Sequence, residues 1–123
     1  MSPKTGSRSR NRTRARRPQP LVFFADLFAA LGDSTRLALV GKLSSGQPAS
    51  IAQLTAGSRL TRQAITKHLG ALRRAGLVHS TRVGREQLFT LDPRPMHEMQ
   101  RYLDRVSHHW DRALVRLKTF VEE

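Results

Sequence analysis

In the run Thr61-Arg62-Gln63-Ala64-Ile65-Thr66-Lys67-His68, side chains that can hydrogen-bond to base edges alternate with apolar ones at helical spacing. The fork of Arg62 matches guanine O6 and N7, and the amide of Gln63 matches adenine N7 and N6. Thr66 offers a hydroxyl to a base edge or a methyl to thymine, and Thr61 and Lys67 complete the polar set. Ala64, Ile65 and Leu69 fall on the opposite face, where burial would fix the helix orientation. Arg73 and Arg74, a turn or more further on, suit phosphate oxygens. His68 is open to two uses, a phosphate contact or a partly buried ring bonded to a neighbouring carbonyl. A solvated polar helix face would carry the same residue types, so other parts of the chain must decide between the two readings.

Two more cations, Arg82 and Arg85, flank Gly84 where two β-prone runs meet, 77–83 and 86–91. That is a hairpin pattern, and its turn carries charge that no core needs. A wing laid along a DNA backbone would use it, since each phosphate contact adds affinity that falls with salt and carries no sequence information. The chain of 123 residues has a formal net charge of +13, from 22 basic and nine acidic residues, which points to a polyanionic partner. The charge is uneven. Segment 57–85 holds Arg59, Arg62, Lys67, Arg73, Arg74, Arg82 and Arg85 without an acid, and the acids gather mainly in 86–123.

Segment 1–20 is a second basic zone, rich in Arg, Ser and Pro and lacking large apolar residues, and is expected to be disordered. It reads as a solvated tail, as an arm following phosphates or the minor groove, or as a tether to an anionic surface. Arg16-Arg17 before the apolar run 21–31 imitates a targeting leader, but Pro18, Pro20 and Asp26 interrupt the required apolar segment. No stretch approaches the ~20 apolar residues of a membrane span. The chain has no cysteine, so disulfides, thiolate metal sites and thiol redox chemistry are excluded. No Gly-rich phosphate loop or nucleophile–base pairing suggests an enzyme. RNA is disfavoured because Phe89 alone lies near the basic patch, leaving no stacking platform.

These side chains need elements to hold them, and the domain is expected over 21–123. Phe24, Leu27, Phe28 and Leu31 make one apolar stripe on a first helix that Gly32 stops. Asp33 caps a second helix, 34–45, with Leu37, Val40 and Leu43 facing the core. Gly46-Gln47-Pro48 breaks the chain, and Ser50 with Gln53 forms a capping box for a short helix, 51–56. Gly57-Ser58 turns, and Thr61 caps a helix over 62–75 whose Ala64, Ile65, Leu69 and Leu72 face inward, ending at Gly76. His79 reads as a plain strand residue. Asp92 and Pro93 open a last helix running to about 122. A short helix, a Gly-containing turn and a second helix form the helix-turn-helix pattern. The fold class is therefore mainly α with a small β-hairpin, a winged helix-turn-helix with a long C-terminal dimerisation helix.

On that last helix Met96, Met99, Leu103, Val106, Trp110, Ala113, Leu117 and Phe120 advance by alternating steps of three and four, an a/d-type seam. So small a domain cannot bury so long a stripe unaided. Pairing with a second subunit is the expected solution, and a purely intrachain core helix the alternative. A two-fold dimer would read a pseudo-palindrome with half-sites about 10 bp or more apart. The competing function is an architectural protein that binds DNA with little sequence preference.

The ordered set Ala30-Leu31-Gly32-Asp33-Ser34-Thr35-Arg36-Leu37, Arg59 through Leu69, Ala75-Gly76-Leu77-Val78 and Gly84-Arg85-Glu86 resembles the ArsR/SmtB family of bacterial winged-helix repressors. The first motif looks like the family's Leu-x-Asp-x-Thr-Arg entry to its second helix, and the second like its recognition helix, Lys-His-Leu included. The resemblance implies a cytoplasmic homodimer, associated with the nucleoid through DNA, that represses by occupying a promoter and often lets go when an effector binds. Members that sense metals do so through cysteines in the third helix or through His and carboxylates on the last. This sequence is similar to the cysteine-free subgroup. His97, His108 and Asp111 resemble an interhelical zinc pattern, but Pro95 stands where that pattern wants a carboxylate and the register is displaced. No metal and no cofactor is expected, and the sequence names no effector.

Overall fold

Polar caps and glycines divide the chain into its elements. In the computed structural model, which describes residues 19–122, these are α1 (Leu21–Leu31), α2 (Ser34–Leu43), β1 (Ala49–Ser50), α3 (Ile51–Thr55), α4 (Arg62–Arg74), β2 (Val78–Val83), β3 (Glu86–Leu91) and α5 (Pro93–Glu122). The expected disordered tail lies outside the described residues, apart from its last two. Asp33 accepts from the Arg36 backbone N–H at 3.1 Å. Ser50 and Gln53 form a reciprocal capping box, and Thr61 Oγ1 accepts from Ala64 N–H at 3.1 Å. Each cap satisfies a backbone donor that the first turn of a helix leaves free. Gly76, with φ 82°, lets the chain turn from α4 into β2, a conformation that a side chain would strain.

Two helix faces differ from the expected ones. α2 ends at Leu43, not at 45, and Leu37 is exposed while Leu39 is buried. Leu37 and Leu39 offer equally good spacings to the rest of the helix. α2 packs against α1 and α4, and that packing selects the face carrying Leu39, Val40 and Leu43. Phe28 likewise sits at the rim of α1, leaving Phe24 and Leu27 as its buried residues.

β2 and β3 pair antiparallel with Val83 opposite Glu86 across the turn. A third strand, not expected from the sequence, joins them: Ala49 pairs with Phe89 and Ser50 with Leu88, giving the order β1-β3-β2. Two residues are too few to show a period. The core gathers Phe24, Leu27, Leu39, Leu43, Leu54, Ile65, Leu69, Leu72, Leu77, Val78 and Phe89 under the sheet and between the helices.

Asp92 anchors α5 to the sheet. Its N–H donates to Leu77 O at 2.8 Å, and its carboxylate accepts from Arg94 N–H and from the Arg94 guanidinium at 2.7 and 3.0 Å. Pro93 follows as the first helical residue, where its missing N–H costs nothing. His79 is no plain strand residue, because its Nε2 lies 2.7 Å from Asp92 Oδ2. The Arg94 hydrogen bonds hold the Asp92 carboxyl well below the usual carboxylate range, against the opposing effect of burial.

Met99 is a second correction. It is only 4% exposed and belongs to the core of its own chain, so it does not lie on a free dimer seam. Beside it Tyr102 stacks on Phe24 with ring centroids 4.6 Å apart. The start of α5 is thus an intrachain core element, and the helix leaves the domain surface from Leu103 onward. No helix among the described residues is long and apolar enough to cross a membrane.

Candidate nucleic-acid interface

α4 buries Ile65, Leu69 and Leu72 and presents Arg62, Gln63, Thr66 and Lys67 to solvent at its N-terminal end. The opposition of the two sets follows from helical geometry, and α3 and its turn set the angle at which α4 stands out. Gln63 and Lys67 share a face at i, i+4. Thr61 uses its hydroxyl oxygen as the cap acceptor, which leaves its proton free to donate. Thr66 is more restricted than its type suggests, since its hydroxyl donates to Arg62 O at 2.7 Å. Its methyl and its hydroxyl lone pairs, as acceptors only, are what is left for a base.

His68 is partly buried, as one of its two readings has it, but its neighbours are side chains and not a carbonyl. Its Nδ1 lies 3.4 Å from Arg36 Nη1 and 3.7 Å from Asp33 Oδ2. Arg36 in turn donates through Nε to Ala30 O. The imidazole therefore joins the middle of α4 to the N-cap of α2, whose Asp33 carboxyl is held below its ordinary value chiefly by the Arg36 backbone N–H. The interaction draws on residues more than thirty positions apart, which helical spacing within α4 could not reveal.

Arg73 donates to Ser80 Oγ at 3.1 Å, and Gln87 donates to the same oxygen at 3.0 Å. This ties the C-terminal end of α4 to β2 and β3, while Arg73 itself stays exposed. Arg74 is exposed as well. At the wing tip Gly84 takes φ 63°, and Arg82, Arg85 and Glu86 all face solvent. Between the wing and the start of α4 lies a cavity of about 280 Å³, lined by Arg62, Arg82, Arg85, Glu86 and Gln87 with the start of α3. The sequence places these arginines in two separate motifs and gives no signal that they share one space.

A helix-turn-helix presenting donors at the start of its second helix, beside a cationic wing, is the arrangement that DNA-binding regulators use. Residues 31–81 match the family model for a helix-turn-helix domain. The HTH-type transcriptional regulator Rv2034 of Mycobacterium tuberculosis is 35% identical over 85 residues, covering 69% of this chain and 76% of that protein. The ArsR-like transcriptional regulator from Rhodococcus sp. RHA1 superposes with a TM-score of 0.69 at 37% identity, over 81% of this chain and 93% of that one. The chain belongs to the ArsR-like family of helix-turn-helix transcriptional regulators. It is a DNA-binding transcriptional regulator with the winged helix-turn-helix fold. The winged helix-turn-helix domain of Mb0332 from Mycobacterium bovis, described as homodimeric, shares that fold with a TM-score of 0.58 at 20% identity, over 72% of this chain and 82% of that one.

On α5 of this regulator, Leu103, Trp110, Leu117 and Phe120 are exposed and Val106 and Ala113 half-buried, with Phe120 at 76%. Leu114 and Val121 extend the same stripe, each four residues after a seam position, a signal that a strict a/d pattern passes over. Leu21 and Val22 at the start of α1 are exposed too. His97 and His108 stand on one helix about 16 Å apart along its axis. They cannot share an ion within one chain, and no group of three His, Cys, Asp or Glu residues is close enough to hold a metal among the described residues.

Proposed function

We propose that this regulator works in the cytoplasm as a homodimer, paired through α5, and represses transcription by occupying a pseudo-palindromic operator. The observation that carries the dimer is the apolar stripe from Leu103 to Val121, which its own chain leaves largely uncovered. The homodimeric state of the Mb0332 domain agrees with it. Gln63, Lys67, the Thr66 methyl and the free Thr61 proton read base edges in the major groove, while Arg74, Arg82 and Arg85 hold phosphates. Arg73 holds a phosphate from its position beside Ser80. A dimer of two such units selects inverted half-sites about one or more helical turns apart, and repression follows from occupying the promoter, as the family suggests.

Selection of bound duplexes from a random pool tests this reading, with light scattering on the same sample. An inverted repeat and a dimeric mass are the expected results. A monomer at micromolar concentration removes the dimer, and enrichment of no sequence leaves an architectural protein that binds DNA broadly. In vitro transcription from a promoter carrying the selected site should fall as the protein is added; a rise would make the regulator an activator.

A further inference from the structure

Arg62 is the first residue of α4, and Arg82 and Arg85 belong to the wing tip, yet all three line the same cavity of about 280 Å³. Glu86 is the one carboxylate on that wall. Among the described residues none of the three arginines is in an ion pair, whereas Arg94 is paired with Asp92 and Arg101 with Glu98. Like charges gathered around so small a space repel one another until an anion enters. Guanidinium groups bind phosphate through two parallel hydrogen bonds, which makes them the side chains of choice for such an anion. Gln63 and Lys67 do not line the cavity. The start of α4 therefore carries two different surfaces, one toward the groove and one toward the wing.

We propose that this cavity binds one phosphate of the DNA backbone, held jointly by Arg62 and the two wing arginines, so that Arg62 clamps the wing to α4 and does not read guanine. The inference rests on the DNA-binding reading above and assigns the contact that fixes the wing. A single phosphodiester bridging the two elements sets the distance between wing and recognition helix. Wing contacts and groove contacts then form together.

The test uses the full chain with an in vitro selected duplex and a scrambled duplex of equal length, titrated over a range of salt. Arg62→Ala should weaken both duplexes by the same factor and lower the slope of log K against log salt by about one per half-site. Arg85→Ala should do the same. The double variant should lose less than the product of the two single losses, because either change already leaves the phosphate half-held. A neutral methylphosphonate at one backbone position should weaken the wild type and weaken Arg62→Ala by a smaller factor, since the two wing arginines still hold that phosphate in the variant. If Arg62→Ala instead changes base preference at one operator position and keeps the wild-type salt slope, Arg62 reads guanine and the clamp is wrong. A free phosphate is the other possible source of the anion. Arginine Nε–Hε signals of Arg62, Arg82 and Arg85 that shift together with inorganic phosphate, while the variants bind DNA as the wild type does, would also overturn the backbone assignment. Equal wild-type affinity for the two duplexes counts against operator reading alone, since the Arg62 salt slope still decides the clamp.

Discussion

α4 and α5 carry the two clearest apolar stripes in the chain, and only α4 finds cover for all of its own. Ile65, Leu69 and Leu72 disappear beneath α1, α2, α3 and β2. On α5 the stripe is covered by its own chain at Met96, Met99 and Tyr102 and is largely bare from Leu103 on. Length explains the difference. The 13 residues of α4 span about 20 Å, within the width of the domain, whereas the 30 residues of α5 span about 45 Å and overshoot it. The regularity of an apolar stripe says that a helix needs a partner; its length against the size of the domain says whether that partner can be the same chain.

Breaking the covered stripe should have the largest effect. Leu69 has no exposed surface, and Leu69→Ala should cost about 2–5 kcal/mol of stability through lost transfer energy and the cavity left behind. Urea unfolding at one fixed protein concentration measures it, because a dimer's apparent stability depends on concentration. Breaking the uncovered stripe should act elsewhere. Trp110→Glu puts a charge in the middle of the seam and should weaken the dimer by about 2–4 kcal/mol, as loss of a central aromatic anchor does. Light scattering should then report a monomer that still unfolds cooperatively in urea, at a lower midpoint that no longer depends on protein concentration. If Trp110→Glu unfolds the domain instead, that surface is intrachain core in solution and the contrast between the two helices fails.

How far this contrast was legible depends on how local each cause is. The caps at Asp33, Ser50 and Thr61 could be read directly, because a cap and its partner lie within three residues of each other. The buried face of α4 was legible too, since Ile65, Leu69 and Leu72 leave a single helical choice. Helical spacing misplaces Leu37 because α2 offers two equivalent faces and the neighbouring helices choose. A continuous seam does not mark where the domain ends, so it places Met99 against a second subunit; Tyr102, at i+3 from Met99 but outside the strict a/d steps, stacks on Phe24. The polar end of α4 could be identified by residue type. The partnerships of His68 with Asp33 and Arg36 and of Arg73 with Ser80, and the cavity that Arg62 shares with the wing, all cross between elements, so no local spacing encodes them.

The two helices also start differently, and this separates a smaller pair of effects. α5 begins on a nearly buried carboxylate, Asp92, that serves the backbone of its own helix, the Arg94 side chain and His79. Asp92→Asn should cost about 1–3 kcal/mol, the range for hydrogen bonds to a charged group and for leaving their partners unsatisfied. The folded carboxyl titrates below its unfolded value of about 3.9. Its stabilisation is therefore complete above that value and is lost as pH falls through the folded pKa. The gap between wild type and Asp92→Asn in urea should be full at neutral pH and narrow in acid. A gap that persists unchanged to the acid limit would show that shape, and not charge, holds α5 to the sheet.

α4 begins on Thr61, exposed and neutral, with a single cap bond to Ala64 N–H. Thr61→Ala should cost about 1 kcal/mol, and Thr61→Ser should recover most of it, because serine keeps the acceptor at the same position. The loss should not vary with pH between 4 and 8, in contrast to Asp92→Asn, since no group in the bond titrates. Hydrogen exchange gives the site of the change. Protection at Ala64 and the first turn of α4 should fall by more than the global loss, and at Leu69 and Leu72, whose amides depend on the buried stripe, by no more than it. If protection instead falls equally along all of α4, the cap contributes to holding the whole helix in place, and the start of α4 is as deeply tied to the core as the start of α5.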